Sequence, residues 1–448
     1  MPTPTKAAPT PTARFPRWPS PSRPATGPRA SDLSVAELVE DFLGKDLPIR
    51  FEAYDGSATE APDARTRVLI RSPNVLKRLV ATPGELGLAR AYVAGELDVE
   101  GDIFAALSLR DRLSELRLQP AQLASALRIV RRSGWRMPPR VSGEARLGGR
   151  VHSRARDAAA ISHHYDVSNE FYRLVLGPSM TYTCAVWRDP DVGLEAAQAA
   201  KHELVCRKLG LRPGMRLLDV GCGWGGMSIH AATHHGVHAV GVTLSSRQAE
   251  WGQKAVVEAG VADRVEIRGR DYRDVDDGPY DAIASIGLVE HVGSAQLPSY
   301  ARHLYGLLRP GGRLLNHGIA SPPAPPERGS SFLRSRRRSF LYRFVFPDGE
   351  LMELGKLVTA LQEAGFEARH VENLREHYAL TLRAWVSNLE RHWHEAVAEA
   401  GEARARIWRL YMAGAALNFE EGATNLYQVL AVKPDGGRSG LPLRPVFE

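Results

Sequence analysis

Strand-length apolar runs alternate with helix-length segments through the middle of the chain, from about residue 160 onward. The pattern predicts five strands, at residues 216–220, 238–243, 265–268, 281–286 and 313–317. Helical periodicity occurs at 198–209, before the first strand, and at 246–259, after the second. Parallel strands need a crossover connection, usually a helix, so this alternation predicts a parallel sheet covered by helices on both faces. The predicted fold class is therefore α/β.

Weaker patterns precede this core. Ser34 and Glu37 have the spacing of a capping box, which places the start of the first helix here. A small α/β module with a strand at 67–71 follows. Next come a predicted helix at 108–130 and a linker rich in Gly, Pro and Arg at 135–150.

The two ends of the chain complete the predicted organisation. Residues 1–30 hold nine prolines and five basic residues but no acid, and such a segment cannot bury enough apolar surface to fold. Near the other end, a helical region at 380–415 and a last strand at 427–432 precede a glycine-rich segment. We predict a disordered Pro/Arg-rich tail at 1–30, an N-terminal domain with its linker at 31–150, the main α/β domain at 151–435 and a flexible tail at 436–448.

Composition and charge exclude some classes of protein but do not identify a function. Lys and Arg number 58 against 51 Asp and Glu, a net charge of +7 that permits attraction to anionic lipid or to nucleic acid. No recognised RNA- or DNA-binding signature is present, so we expect no nucleic-acid partner. The chain has three cysteines, no apolar run long enough to span a bilayer and no secretory signal, and we therefore expect a cytoplasmic protein.

The 15 histidines raise the question of a metal site. Neighbouring histidines occur at 163–164, at 234–235 and within 392–394, but none of these groups shows a convincing ligand set or a cysteine partner in the sequence. We therefore predict no bound metal.

The most informative stretch is LLDVGCGWGG at 217–226, where a strand leads directly into a glycine cluster and then a helix. Glycine lets the backbone turn sharply and approach a ligand that larger side chains would block. Gly221, Gly223 and Gly226 also fit the dinucleotide spacing, so a nicotinamide oxidoreductase is one hypothesis. The second strand ends in VTLS at 242–245, without an acid for a ribose diol, which argues against that hypothesis and also departs from many methyltransferases. A tight turn without a ligand is the other alternative.

Further motifs follow in a recognisable order. They are HHYD at 163–166, NEFY at 169–172, MTYTCA at 180–185, DVGCGWGG at 219–226, GVTLS at 241–245, DYR at 271–273, VEHVG at 289–293 and HYA at 377–379. Together they resemble the family of cyclopropane-fatty-acyl-phospholipid synthases and mycolic acid methyltransferases. The resemblance is strong over 160–433 and weak over 49–105, where residues 87–102 look like the family's lipid-handling domain. It implies a Rossmann-like class I S-adenosylmethionine-dependent methyltransferase domain with a smaller N-terminal lipid-handling domain.

The resemblance also implies a cofactor site for S-adenosylmethionine. The glycine loop would line the methionine and ribose portions, and the end of the second strand would hold the ribose side in place of the missing acid. Asp271 would reach the adenine, and a lid that precedes the loop would close over the cofactor. The implied cofactor-binding residues are Tyr182, Thr183, Asp219, Gly221, Gly223, Thr243, Leu244, Gln248 and Asp271.

The implied chemistry makes a demand on the protein. An alkene that attacks the methyl carbon of a sulfonium becomes a carbocation, so the site must exclude water, stabilise positive charge and remove a proton. Aromatic faces stabilise a cation without trapping it. Aromatic side chains, which core packing would equally explain, crowd the segment before the loop at Tyr165, Phe171, Tyr172, Tyr182 and Trp187. The resemblance implies bicarbonate as the base, in a cradle formed by Cys184, Glu290, His317, Ile319 and Tyr378.

One cation can give two products. Proton loss from the new methyl group closes a cyclopropane, whereas a hydride shift followed by proton loss leaves a methylene branch. The C-terminal half resembles an actinobacterial branch that makes 10-methylene fatty-acyl phospholipids for a separate reductase, so we predict the methylene product, with cyclopropane as the alternative. Val289 and the segment NHGIA at 316–320 depart from the family pattern, so we expect a cradle of different shape. Other hypotheses are a methyltransferase for RNA or a polar small molecule, and an inactive lipid-binding relative.

The predicted substrate, an unsaturated phospholipid, lies in a bilayer, so the enzyme must dock on a membrane. A basic run beside apolar residues suits an anionic surface, and a solvated loop is the alternative. The run contains Arg334, Arg336, Arg337, Arg338 and Arg343, beside Phe332, Leu333, Phe340 and Leu341. We predict a cytoplasmic enzyme bound peripherally at the inner membrane surface. A homodimer and a reductase partner are left open.

Overall fold

The computed structural model describes residues 33–110, 127–131, 134, 136, 138–145, 153–154, 156, 167–323 and 339–447. The predictions for the tail at 1–30 and for the HHYD motif at 163–166 lie outside these residues. So do most of the predicted helix at 108–130 and all but one arginine of the basic run.

A small α/β unit begins the described chain. Its three strands lie in the order β1–β2–β3, with β1 parallel and β3 antiparallel to β2. The strands are β1 (Arg50–Ala53), β2 (Arg67–Ile70) and β3 (Leu97–Glu100), and the helices are α1 (Val35–Leu43), α2 (Asn74–Ala81), α3 (Glu85–Val93) and α4 (Ile103–Leu107). The capping box at α1 is confirmed, because Ser34 and Glu37 bond each other's backbone N–H groups.

The main sheet has seven strands in the order β6–β5–β4–β7–β8–β10–β9. Five of them are parallel, and β10 is antiparallel to both β8 and β9. The strands are β4 (Arg216–Val220), β5 (His238–Thr243), β6 (Val265–Gly269), β7 (Tyr280–Ile286), β8 (Leu308–Ala320), β9 (Glu367–Asn373) and β10 (Asn425–Val432). The five predicted strands are therefore confirmed, and so is the last strand, β10, whereas β9 was not predicted.

Helices cover both faces of the main sheet. They are α5 (Asn169–Leu176), α6 (Leu194–Leu209), α7 (Gly226–His235), α8 (Ser246–Glu258), α9 (Val289–Val292), α10 (Leu297–Leu307), α11 (Phe340–Phe344), α12 (Leu354–Glu363), α13 (Arg375–Arg391), α14 (Trp393–Ala400) and α15 (Glu402–Glu420). Side chains alternate along a strand, so successive residues of β4 pack into the hydrophobic cores on opposite faces of the sheet. Leu217 packs with α6 and α7, and Leu218 packs with α10 and α12.

The small unit is fixed to the main unit by two buried arginines of α15. Arg406 donates to both carboxylate oxygens of Asp98 at 3.0 and 3.1 Å. Arg409 donates to the hydroxyl of Tyr92 at 3.1 Å and to the carbonyl of Val99 at 3.2 Å. These charge-assisted bonds fix how the two units are oriented.

The residues after β10, predicted as a flexible tail, pack back against the sheet. The carbonyl of Gly440 accepts a hydrogen bond from Arg313 of β8 at 3.0 Å. The ring of Phe447 lies 5.1 Å from that of His370 on β9 and contacts the core beneath β4. Leu441 and Phe447 are thus the two apolar side chains by which this glycine-rich segment packs against the core.

None of the helices in the described part of the chain combines the length and the apolar character that crossing a bilayer would require.

Candidate active site

The glycine loop after β4 turns back over the end of β5. The N–H groups of Gly221 and Cys222 both donate to the carbonyl of Val242, at 2.9 and 3.0 Å. Gly221 and Gly223 have φ of +77° and +56°, conformations that glycine adopts without strain. Helix α7 then begins at Gly226. The loop therefore leaves backbone groups and a helix N-terminus at the carboxyl edge of the sheet, where α/β folds bind ligands.

A cavity of about 350 Å³ opens at this edge, between the ends of β4, β5 and β7 and the segment before α6. Every predicted cofactor-binding residue except Asp271 lines it: Tyr182, Thr183, Asp219, Gly221, Gly223, Thr243, Leu244 and Gln248. Residues separated by up to 66 positions in sequence thus meet around one space of ligand size.

Asp271 lies beside the cavity rather than in its wall. Its carboxylate accepts from the backbone N–H of Arg273 at 3.0 Å and from the guanidinium of Arg273 at 2.9 Å. Burial alone would raise the pKa of Asp271, but the bonds from Arg273 lower it below its usual value. Tyr272 and Arg273 line the cavity. In this structure the carboxylate orients Arg273, and its contact with an adenine stays a prediction.

An uncharged pair occupies the position where many nucleotide-binding enzymes carry an acid. The hydroxyl of Thr243 donates to Oε1 of Gln248 at 2.7 Å. Ser245 caps α8 by accepting from the N–H of Gln248 at 3.3 Å. The cap and the side-chain bond together fix Gln248 against the cavity.

A buried lysine that the sequence analysis missed lies in the same wall. Lys201 of α6 is 1% exposed, and its ammonium donates to the hydroxyl of Thr183 at 3.1 Å. Burial lowers the pKa of Lys201, and attraction to Asp219 opposes that effect. Burial likewise raises the pKa of Asp219, which accepts from Ser228 at 2.9 Å. The cavity therefore contains an acid and a base whose pKa values converge.

Glu290 supplies the second buried acid. It follows β7 in the short helix α9, and its Oε1 accepts from the backbone N–H of Ile319 at 2.7 Å. Burial raises the pKa of Glu290 to about 7. Within the described residues, Oε2 is buried without a hydrogen-bond partner. An orphaned carboxyl oxygen of this kind suggests that a ligand completes the site.

His317, two residues before Ile319 on β8, has a defined tautomer. Its Nδ1 lies 3.1 Å from the amide nitrogen of Gln428, whose oxygen accepts from Lys208 at 2.7 Å. Because Gln428 donates to Nδ1, the neutral ring carries its proton on Nε2. Burial, together with the charges of Lys201 and Lys208, depresses the pKa of His317 well below its usual value. Nε2 is buried and unpartnered among the described residues, so a neutral N–H donor is available.

The remaining predicted cradle residues, Cys184 and Tyr378, lie beside the start of helix α13. The carbonyl of Leu374 accepts from the Cys184 thiol at 3.7 Å and from the backbone N–H of Tyr378 at 3.1 Å. Burial raises the pKa of the Cys184 thiol, so it stays protonated. Ile319 packs against the hydrophobic cluster that contains Cys184 and Tyr378. The structure thus brings all five predicted cradle residues into one region, while their roles stay predictions.

An aromatic wall borders the cavity next to the cradle. The ring of Tyr182 lies 5.2 Å from Trp385 and 5.4 Å from Trp408, and its hydroxyl donates to that of Tyr411 at 3.0 Å. Tyr172 packs against Tyr182 at 5.9 Å. Apart from these two, the wall consists of residues that the sequence analysis missed: Trp224, Trp385, Trp408 and Tyr411.

The other predicted aromatics are placed differently. Phe171 lies behind Tyr172 in the same core. Trp187 belongs to a separate cluster with Ala185 and Ala197, so its proposed part in the cation-stabilising wall is wrong. Its indole instead donates to Thr381 at 3.0 Å. Tyr165 lies outside the described residues.

Two departures from the family pattern fit one another. A Cβ added to Gly318 would lie 2.4 Å from Cγ1 of Val289 and 3.7 Å from Oε1 of Glu290. Glycine at 318 is therefore required by the side chain at 289. This contact fixes α9 against β8, and with it the position of Glu290.

The predicted docking surface needs one correction. Phe340 is 4% exposed and stacks on Phe344 at 5.3 Å, so it belongs to the core and cannot contact a membrane. Arg343 on the same helix is exposed and Leu341 is half-buried. The other basic and apolar residues of the run lie outside the described chain.

The fold and site together define the class of the protein. The strand order and the glycine loop after β4 are those of a class I S-adenosylmethionine-dependent methyltransferase. Residues 152–429 match the family model described as mycolic acid cyclopropane synthetase. The chain belongs to this family, and the nicotinamide alternative is set aside.

Individual relatives agree with that family. The chain is 46% identical over 432 residues to a probable fatty acid methyltransferase of Mycobacterium tuberculosis, covering 93% of this chain and 99% of the relative. It is 32% identical over 425 residues to the tuberculostearic acid methyltransferase UfaA1 of the same organism, covering 92% and 94%. The crystal structure of mycolic acid cyclopropane synthase CmaA1 with SAH and CTAB has a TM-score of 0.58 and 33% identity, covering 62% of this chain and 98% of that one.

Proposed function

We propose that the protein methylates the double bond of an unsaturated fatty acyl chain in a phospholipid and releases a 10-methylene product. The observation that carries this proposal is the meeting of the cofactor loop with the aromatic side chains of Tyr182 and Trp224 at one cavity, while the buried carboxyl of Glu290 lies just behind the cavity wall, between the lining residues Leu288 and His291. Buried aromatic side chains exclude water and tolerate positive charge, which suits an apolar acyl chain that becomes a carbocation.

The residues divide the work of the reaction. Bound S-adenosylmethionine would supply an electrophilic methyl group on its sulfonium. The buried aromatic rings keep water from the acyl chain and stabilise positive charge on its carbon atoms. Thr243 and Gln248 would hold the cofactor, and Tyr182, which lines the same cavity and packs against the other aromatic rings, would lie beside it.

The cradle fits a small oxyanion such as bicarbonate. Among the residues that the structure describes, neither the buried Nε2–H of His317 nor Oε2 of Glu290 has a hydrogen-bond partner, so the first can donate to an anion and the second can accept from a protonated oxygen. Glu290, His317, Cys184, Tyr378 and the backbone beside Ile319 would hold the ion. It would supply a base of suitable strength next to the substrate, while Glu290 keeps that base oriented through its bond to Ile319.

Two considerations favour the methylene product over the cyclopropane. The two relatives that match more than nine-tenths of this chain are named for fatty acid methyl transfer, one of them for tuberculostearic acid. In addition, the side chain of Val289 occupies the space that a Cβ at position 318 would need, and both positions depart from the usual family pattern, which supports a differently shaped cradle.

The test uses the purified full-length protein, S-adenosylmethionine labelled on the methyl carbon, and vesicles that contain oleoyl phospholipid. We expect label on the hydrocarbon and, by gas chromatography–mass spectrometry, a methylene-branched acyl chain. A ring product alone overturns the methylene assignment but keeps the enzyme class. Label found only off the hydrocarbon overturns the proposed substrate.

A further inference from the structure

We propose that Cys206, His230 and His235, with Glu203 as a fourth donor, form a zinc-type metal site between helices α6 and α7. The site lies behind the cofactor cavity and shares no residue with it. The proposal does not depend on which lipid the enzyme modifies.

The first observation is geometric. The ligand atoms of Cys206, His230 and His235 all lie within 4.8 Å of one another. Donors bound to tetrahedral zinc at about 2.0 to 2.3 Å are separated by roughly 3.3 to 3.8 Å, so small side-chain rotations would close the set. Cys206 is fully buried and both imidazoles are largely buried, which shields the site from water.

The fourth donor faces both imidazoles. Oε2 of Glu203 lies 2.9 Å from Nε2 of His235 and 3.5 Å from Nε2 of His230. Its other oxygen accepts from Arg207 at 2.7 Å, which orients the carboxylate. Hydrogen-bonded carboxylates of this kind are common metal ligands.

A second observation shows that the cluster is incomplete as a set of hydrogen bonds. Nε2 of His230 is buried and, although Oε2 of Glu203 lies 3.5 Å away, it forms no hydrogen bond within the described residues. The other ring nitrogens nearby belong to His202 and His234, whose ring centroids lie 5.5 and 4.5 Å from that of His230. A buried nitrogen that faces a thiol, an imidazole and a carboxylate has the surroundings of a metal ligand.

The donor set also indicates the kind of ion. A thiolate and two imidazoles select zinc and related borderline metals over magnesium or calcium, which prefer oxygen ligands. Binding would release the proton of the Cys206 thiol to solvent, because the thiolate is the ligand.

The position of the site suggests what the ion does. Helix α6 carries Lys201 and His202 into the cofactor cavity, and α7 starts at Gly226 of the cofactor loop. An ion that joins these helices would hold two walls of the cavity together, so we infer a structural role that raises the stability of the main domain.

The sequence analysis set His235 aside with His234 for lack of a cysteine partner and did not consider His230. The partner is Cys206, which is 24 positions before His230 on a different helix. Pairs on two helices are invisible to a search for local ligand spacing, and only the packing of α6 on α7 brings them together.

The test loads metal-free full-length protein with Zn²⁺ or Co²⁺. We expect a single Zn²⁺ per chain, a rise in the thermal midpoint, and a thiolate-to-cobalt charge-transfer band with Co²⁺. Cys206→Ser should lose the band and the thermal rise. His235→Gln should also weaken Zn²⁺ binding, and because His235 is half-buried this variant is less prone to misfolding than Cys206→Ser.

The matched control is His238→Gln, because His238 is exposed at the start of β5 and lies outside the cluster. It should bind both metals as the wild type does. Absence of stoichiometric binding by the wild type overturns the proposal. So does metal binding that Cys206→Ser and His235→Gln leave unchanged, since that result would locate the ion elsewhere.

Discussion

Glu290 shows how the fold changes the chemistry of a single residue. Its carboxyl is buried, receives one hydrogen bond from Ile319 and leaves one oxygen without a partner among the described residues. The pKa of about 7 follows from this burial, which disfavours the ionised form. A buried carboxyl that lowers the stability of the folded protein is more typical of functional than of structural residues.

Replacing this acid tests its role in turnover. Glu290→Gln keeps the acceptor for Ile319 but replaces the free carboxyl oxygen by an amide, so we expect a loss of turnover of roughly a hundredfold or more. Calorimetric binding of S-adenosylmethionine should change little, because Glu290 does not line the cofactor cavity. Glu258→Gln, at the exposed end of α8, is the control. Near-normal turnover in Glu290→Gln would exclude the assigned role.

The same variant should be more stable than the wild type at high pH. Between pH 4.5 and about 7 the folded protein keeps a proton on Glu290 that the unfolded chain releases, so wild-type stability falls as pH rises through this window. Glutamine does not titrate. The difference in free energy of unfolding between Glu290→Gln and the wild type should therefore grow by about 3 kcal/mol across the window and stay level above it. Urea unfolding at several pH values measures it, and a difference independent of pH would contradict the burial argument.

Residues were predictable from the sequence where a motif surrounds them. The glycine loop and the pair Thr243–Gln248 fall in recognisable motifs, and the structure places them at the cavity. Lys201 was missed because a lysine in a helix usually lies in solvent, although Gln198 and Val205, one turn away on either side, are also buried. The aromatic wall was missed because Trp385 and Trp408 come from helices far along the chain.

At the level of elements, the apolar pattern identified the central strands and β6 but missed β9, at the opposite edge of the sheet. Strands β4, β5 and β7 are mostly apolar and mostly buried. Strand β9, with the sequence EARHVEN, alternates exposed and half-buried residues at the edge of the sheet, so it lacks that signal. The direction of β10 could not be predicted because it depends on pairing with β8, not on local sequence.

Adding one methyl group at position 318 tests whether the packing of α9 on β8 positions Glu290. Gly318→Ala would place a Cβ 2.4 Å from Val289, so α9 must shift and carry Glu290 with it. We expect turnover to fall by about tenfold or more, because positioning errors near one ångström are costly. Steady-state kinetics on oleoyl phospholipid measures the loss.

A second glycine provides the comparison for that variant. Gly414 lies inside α15, and a Cβ added there meets nothing within 4 Å. Gly414→Ala should keep turnover and raise stability by up to about 1 kcal/mol, since alanine is the better helix former. Equal turnover in Gly318→Ala and Gly414→Ala would show that the contact does not position Glu290.

At the level of the whole molecule, the two units depend on a buried ion pair. Arg406→Met removes the two guanidinium hydrogen bonds to Asp98 and leaves that carboxylate with Arg71 and the backbone N–H of Val99, so we expect a loss of about 2 kcal/mol in the free energy of unfolding. Arg67→Met, in the exposed pair with Glu100, should cost about 1 kcal/mol or less. Denaturant unfolding compares the two, and similar losses would mean that the buried pair does not hold the units together.

Access to a bilayer is the remaining requirement at this scale, because the proposed substrate does not leave the membrane. We propose that the basic run supplies it by electrostatic attraction to anionic lipid, worth about 1 kcal/mol for each basic residue near the surface. Replacing Arg334, Arg336, Arg337 and Arg338 by Ser should then weaken cosedimentation with anionic vesicles roughly a hundredfold or more. Binding of the wild type should also fall steeply as salt is added.

The control for that experiment must separate net charge from location. Four exposed basic residues elsewhere, Lys45, Arg188, Arg212 and Lys254, can be changed to Ser to remove the same charge. If the run is a docking surface, this control should cosediment nearly as well as the wild type, because attraction at a membrane acts within a Debye length. Equal losses in both variants would indicate attraction by overall charge, and unchanged binding in the first would remove the run as the docking site. Since Phe340 is buried, insertion of its ring cannot substitute for the arginines.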